Sequence, residues 1–191
     1  MLNIMPERLQ LARDEDSAAI ASLRMAVARQ LTAQFGRGVW SFATESEWSV
    51  RADIATSHVY LARHEGVLAA SLRLSTRPPW LGAIDFFTAV RTPLYLTTMA
   101  VAPKMQRQGI GRGCLEAVKV IAAEWPVDAL RLDAYDAPAG AGDFYRKAGF
   151  TECHRGDYNG TPLVYFEYLV PKVSFPNKGR TVLAPVRREA S

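Results

Sequence analysis

The stretch Leu94–Leu115 constrains this chain more than any other. An apolar run, Leu94-Tyr95-Leu96-Thr97-Thr98-Met99-Ala100-Val101, carries the residues of a strand, and after Pro103 the segment Gln106-Arg107-Gln108-Gly109-Ile110-Gly111-Arg112-Gly113 opens a helical pattern. Three glycines at alternate positions cost a helix roughly 1 kcal/mol each against alanine, and they let the backbone approach a ligand with no Cβ in the way. A strand that runs into such a helix entrance aims free N–H groups and the positive end of a helix dipole at one point, which favours a phosphate-bearing ligand. From Phe86 through Leu115 there is no Asp or Glu, while Arg91, Lys104, Arg107 and Arg112 supply positive charge.

The flanking patterns describe a mixed α/β domain. Leu9–Ala12 reads as a short strand. Asp14 then caps a helix with Ile20, Leu23, Val27 and Leu31 at helical spacing, closed by Gly36 and Gly38. Thr44-Glu45-Ser46-Glu47 reads as a capping box for a second helix with Trp48, Ala52 and Ala55 as its inner face. Val59–Arg63 and Val67–Leu74 form a hairpin around His64-Glu65-Gly66. After the irregular, Pro- and aromatic-rich Ser75–Pro93 come the central strand, a helix over Ile110–Trp125 stopped by Pro126, a strand over Ala129–Tyr135, and a helix over Ala139–Ala148 closed by Gly149. A terminal strand pair follows, Phe150–His154 with Leu163–Val170. The expected fold is one twisted mixed sheet flanked by about four helices, with parallel pairing only where a helix crosses over. Residues 1–170 form the domain and 171–191 a basic tail.

Composition excludes several classes. No apolar run approaches the roughly 18 residues of a membrane span, and Met1–Gln10 lacks a signal-peptide core, so a cytoplasmic protein is expected. Cys114 and Cys153 suit two buried thiols, and neither has metal-ligand spacing to a histidine, so no metal site is expected. The whole net charge of +4 resides in the tail, where Lys172, Lys178, Arg180, Arg187 and Arg188 outweigh Glu189. Without interleaved aromatics beyond Phe175, that tail is a solvated end rather than a nucleic-acid arm. No Gly-Lys-Ser/Thr closes the glycine segment as a Walker loop would, and its G-x-G-x-G spacing, preceded by a hairpin, is not that of a Rossmann unit.

Gln106-x-x-Gly109-x-Gly111 after a strand resembles the acyl-CoA pyrophosphate loop (Q/R-x-x-G-x-G/A) of the GCN5-related N-acetyltransferase (GNAT) family. Phe144-Tyr145-Arg146-Lys147-Ala148-Gly149-Phe150 is similar to that family's downstream F-Y-x-K-x-G-F signature. The two together are far more specific than either alone, and the order of elements from Leu9 to Val170 agrees. The resemblance implies a GNAT-like fold and acetyl-CoA as acyl donor. Gln106, Arg107, Gln108, Gly109, Ile110 and Gly111, with Arg112 nearby, would hold the coenzyme A pyrophosphate. Met99, Ala100 and Val101 would offer backbone groups to the pantetheine arm as a neighbouring strand would. Tyr145 would be the general acid for the departing thiolate, a phenol of pKa about 10 facing a thiol of about 8.5.

Relatives often place an Asn seven residues before this tyrosine; here stands Pro138, with Asp136 the nearest polar substitute. Tyr95–Thr98 offers no carboxylate where many relatives carry a Glu. Asp85, Asp133 and Glu45 are open as the base through a bridging water, and none is singled out. His58, His64 and His154 read as strand-end histidines without mutual spacing. The acceptor is expected between Gly36–Ala43 and Ser75–Pro93, whose Trp40, Phe42, Trp80, Phe86 and Phe87 either wall an apolar pocket or pack the core. The implied acceptor is a primary amine of a small molecule. The alternatives are a protein N-terminus or lysine, and a non-catalytic acyl-CoA sensor. A homodimer is compatible with the sequence.

Overall fold

The computed structural model describes residues 8–42, 45–81 and 84–171. The expected element order is found: β1 (Gln10–Leu11), α1 (Ser17–Phe35), α2 (Glu47–Thr56), β2 (His58–His64), β3 (Val67–Ser75), β4 (Pro93–Val101), α3 (Ile110–Glu124), β5 (Ala129–Tyr135), α4 (Gly142–Lys147), β6 (Thr151–Tyr158) and β7 (Thr161–Leu169). The strands form one sheet in the order β1-β2-β3-β4-β5-β7-β6, antiparallel except at β4–β5, where α3 makes the crossover.

Local chemistry moves several boundaries. Asp14 does not cap α1; it opens a 3-10 turn, Asp14–Asp16, in which the Asp16 carboxylate accepts from the Arg13 N–H at 2.9 Å. The cap of α2 is Ser46, which exchanges hydrogen bonds of 2.9 and 3.0 Å with Ser49. Thr44 lies outside the described residues. The face of α2 that turns inward carries Val50 and Ile54, because Asp53 is drawn to Arg24 at 3.0 Å and to Arg73 at 3.4 Å. Trp48, expected inside, is 78% exposed, and Ala52 and Ala55 face solvent with it. Helix α4 is shorter than its pattern: Gly140 donates to the Ala137 carbonyl in a turn after Pro138, and a side chain at Gly140 would strike the Tyr135 carbonyl. Strands β6 and β7 run further than expected, because Asn159-Gly160 at φ 52° and 80° makes the tight hairpin turn that Glu65-Gly66 makes between β2 and β3. His154 consequently sits within β6 and not at its end.

One sheet face holds the main core, where Leu72, Leu94, Leu96, Leu130 and Leu132 meet Leu115 and Val118 of α3 and Tyr145 of α4. The opposite face is divided. Its β2 side lies under α1 and α2 through Ile20, Val50, Val59 and Leu61. Among the described residues its β5–β7–β6 side has no helix and lies under the β3–β4 connection, whose Trp80 and Phe87 pack on Tyr95, Leu163 and Tyr165. A buried ion pair fixes that cover: Arg131 Nε donates to Glu167 at 2.9 Å, both side chains are under 7% exposed, and Thr88 N–H reaches the other Glu167 oxygen at 3.3 Å. The Arg131 guanidinium also lies 4.6 Å from the centre of the Phe87 ring.

Candidate active site

The site begins where β4 and β5 part. Their pairing covers only Pro93–Ala129, Leu94–Leu130 and Tyr95–Arg131. Beyond it the two strands diverge, and among the described residues the β5-facing edge of Leu96–Val101 has no partner strand. A bulge accompanies the split: Ser71 pairs with Ala100 but Arg73 with Thr97, and Thr98 takes a φ of +48°. A β-branched residue in the left-handed region is strained by about 1 kcal/mol or more, and such bulges re-aim a strand edge beside functional sites. Met99, Ala100 and Val101 lie on this re-aimed edge. The Val101 carbonyl is already held at 3.0 Å by the Gln106 side chain, which also exchanges two hydrogen bonds with Gln30 of α1.

At the end of β4 the backbone folds into a concave turn. Arg107 and Gly109 both have positive φ, 60° and 89°, and Gly109 is the residue before α3. The first N–H of the junction used in a loop or cap bond is that of Gly113, which donates to Gly109 at 2.9 Å. Among the described residues the N–H groups of Ile110, Gly111 and Arg112, in the first turn of α3, precede the first helical hydrogen bond and have no backbone partner, an arrangement that binds anions. Arg91, Lys104, Arg107 and Arg112 join no ion pair among the described residues. A Cβ on Gly111 would come within 3.2 Å of the Phe144 ring, so the first turn of α3 packs directly on the residue before Tyr145.

Tyr145 is buried between Phe144, Phe150 and Phe166. Burial first, and the charge of Asp133 second, raise its phenol far above the ordinary value, so it remains protonated. Asp133 raises the Tyr135 and Tyr165 phenols in the same direction, secondary to their burial. Asp133 lies on β5 two residues past the last pairing with β4, and opposite Tyr165 of β7. Burial lifts its own carboxyl above the usual range, opposed by the Trp80 indole N–H, which donates to Oδ1 at 3.0 Å.

The other carboxylates considered for the base are placed elsewhere. Asp85 is exposed, and Glu45 is bound to the buried Arg24 at 3.0 Å. Asp136, the substitute near Pro138, receives Arg155 at 2.7 Å. Of the aromatics, Trp80 and Phe87 are core, Phe86 stacks on His154 at 4.6 Å, and Trp40 reaches Tyr135 at 5.6 Å. The Phe42 side chain lies outside what is described. Cys114 is a buried thiol pushed up to about 11 by burial, and Cys153 is half-buried. Among the described residues no cluster of His, Cys, Asp and Glu could hold a metal ion, and no helix is long and apolar enough to cross a membrane.

The sequence pattern of the Acetyltransferase (GNAT) family matches residues 25–150, well over half of the chain. The chain belongs to the GNAT acetyltransferase family. The acyl donor of these acetyltransferases is acetyl-CoA. Solved structures agree in fold. A GCN5-related N-acetyltransferase from Rhodopseudomonas palustris is 21% identical, covering 88% of this chain and 98% of its own at a TM-score of 0.66. A ribosomal-protein-alanine N-acetyltransferase from Brucella melitensis is 19% identical over 85% and 99%, at 0.61. The protein yncA from Salmonella typhimurium, solved with its cofactor acetyl-CoA, is 16% identical over 90% and 98%, at 0.63. No curated protein matches this acetyltransferase in sequence. Among the described residues those around the β4–α3 junction of this acetyltransferase fit such a donor: first-turn N–H groups of α3 with no backbone partner, cations in no ion pair, and no carboxylate from Phe86 to Leu115.

Proposed function

We propose that this acetyltransferase moves an acetyl group from acetyl-CoA to the primary amine of a small molecule by direct attack in a ternary complex. The observation that carries the reading is the opening of β4 from β5 beyond Tyr95–Arg131, with Asp133, a carboxylate of raised proton affinity, on the strand that borders it and Tyr145, a phenol that stays protonated, on the helix that follows. When bound, the donor supplies an activated thioester. The amides of Arg107–Gly111 hold its pyrophosphate, and the free edge of Met99–Val101 lines its pantetheine arm. Asp133 attracts the acceptor's ammonium, which gives one proton to solvent water to become the nucleophilic free amine; as the N–C bond forms and the C–S bond breaks, Asp133 takes the second proton that the nitrogen sheds and coenzyme A leaves as the thiolate. The Tyr145 hydroxyl donates a hydrogen bond to the sulfur as the C–S bond breaks. Its raised pKa makes full proton transfer to a thiolate uphill, so stabilising the developing charge is its larger contribution.

Two features support a small acceptor over a peptide. Trp40 meets Tyr135 across the cleft, and the β3–β4 connection is clamped over β5 and β7, which narrows the groove a chain would need. A non-catalytic sensor has no use for the acid–base pair. The test is acceptor-dependent thiol release over an amine panel. Asp133→Asn is expected to lower kcat/KM about 10²–10⁴-fold and Tyr145→Phe to lower kcat at least about tenfold, both with acetyl-CoA binding retained. Binding without release on any amine would refute the enzyme reading, and a Tyr145→Phe protein with full turnover would remove the phenol from it.

A further inference from the structure

Among the described residues Asp133 has no cation to pair with. Among the described residues its only side-chain hydrogen bond is from Trp80 to Oδ1; Oδ2 accepts none and is not among the sealed polar atoms. Leaving a half-buried carboxylate without a counter-charge is costly, and proteins do so where a ligand supplies the charge. The cation on the same strand face, Arg131, is bound to Glu167 and to the Thr88 carbonyl and lies over Phe87. Arg155 is likewise held by Glu152 and Asp136. What surrounds Asp133 instead is aromatic: Trp80 on one oxygen, Tyr165 opposite it on β7, and Tyr135 two residues on along the same strand face. Such rings attract an ammonium and accept an apolar stem, but they offer a carboxylate neither a charge nor an Arg fork.

We infer that the acceptor is a monoamine whose ammonium sits on an apolar or aromatic stem with no carboxylate beside it, an arylalkylamine rather than an amino acid, recognised by Asp133 inside the ring of Trp80, Tyr135 and Tyr165. The inference rests on the acetyl-transfer reading and deepens it. A carboxylate one carbon from the amine would face Asp133 at short range, where like charges repel strongly in a partly dry site. A second ammonium on the stem would be stripped of water with no second carboxylate to meet it.

The experiment measures thiol release by the full chain with acetyl-CoA and three acceptors on one stem: 2-phenylethylamine, phenylalanine and phenylalanine amide. The expected kcat/KM for phenylethylamine exceeds that for phenylalanine by at least about tenfold, and the amide, which keeps the bulk and removes the charge, recovers most of the gap. In Asp133→Asn the ratio between phenylethylamine and phenylalanine contracts toward one, whereas a merely structural role would slow both alike. If that variant turns over too slowly, calorimetric binding of the two ligands reads the same ratio. Equal or better use of phenylalanine overturns the inference and leaves the acetyl-transfer reading standing. Acceptor-dependent release with a peptide amine but with none of the three overturns the inference and the small-molecule reading, while acetyl-CoA binding with no release on any acceptor overturns the enzyme reading.

Discussion

The proposed coenzyme side and the proposed acceptor side of this site are made of different material. The first is backbone: unpaired N–H groups at the entrance of α3, an unpartnered edge of β4, and left-handed turns at Arg107 and Gly109. Its side chains serve mainly to brace it, as Gln106 does between Gln30 and Val101. The second is side chains, brought together from β5, β7, α4 and the β3–β4 connection, and held by a buried ion pair between Arg131 and Glu167. A ligand common to a whole family can be gripped by main-chain atoms, whose chemistry does not vary with sequence. A ligand particular to one protein needs side chains, and those must be fixed by packing that is equally particular.

That contrast can be broken at its strongest point. Glu167→Gln leaves the Arg131 charge buried without its partner and is expected to cost about 3–5 kcal/mol in urea unfolding, with the β3–β4 connection loosened and acceptor KM raised before acetyl-CoA binding changes. A loss below about 1 kcal/mol, the scale of a surface pair, would mean that the clamp is not what holds the acceptor wall. On the coenzyme side, Gly111→Asp adds bulk against Phe144 and negative charge at the helix entrance, and calorimetry should show acetyl-CoA bound at least about tenfold more weakly. Unchanged affinity would displace the pyrophosphate from this junction.

Trp80→Phe sharpens the comparison with a smaller effect. The indole N–H favours the charged form of Asp133 against burial, so its loss moves the carboxyl further up. Because the proposed base works deprotonated, the acid limb of the kcat/KM profile should shift to higher pH. Tyr135, Tyr145 and Tyr165, raised by burial first and by the same carboxylate second, titrate far above that limb. An unmoved limb would separate Trp80 from the proton chemistry. The smallest effect belongs to the exposed network outside both walls. Hydrogen bonds from Arg155 and Arg146 hold the Glu152 carboxyl at about 2, below its ordinary 4.5. A depressed carboxylate stabilises the fold above its unfolded pKa and ceases to do so as the pH falls toward its folded one. Glu152→Gln should therefore lower Tm slightly at pH 7, by less than about 1 kcal/mol of stability, and the difference should fade by about pH 2.

Legibility followed the same division. The junction from Leu94 to Gly113 could be read because glycine spacing, missing acids and strand-then-helix periodicity are local signals of a backbone site. Tyr145 was legible only within its motif, since a tyrosine opening a helix packs a core as readily as it acts. Asp133 was one of three carboxylates with nothing local to separate them. Its burial, the Trp80 N–H and the absence of a cation all come from residues more than fifty positions away or on other strands. Nor does Thr98 announce its positive φ, because the bulge is imposed by the register of β3 against β4. The inner face of α2 was misread for a related reason: Asp53 is drawn inward by Arg24 and Arg73, partners that helical periodicity cannot see.

The most direct measurement is a crystal structure of the full chain with coenzyme A. This account predicts pyrophosphate oxygens about 3 Å from the N–H groups of Arg107–Gly111, and the sulfur lodged in the split between β4 and β5 with Tyr145 and Asp133 on either side of it. A coenzyme seated away from the β4–α3 junction, or a sulfur remote from both residues, would contradict it.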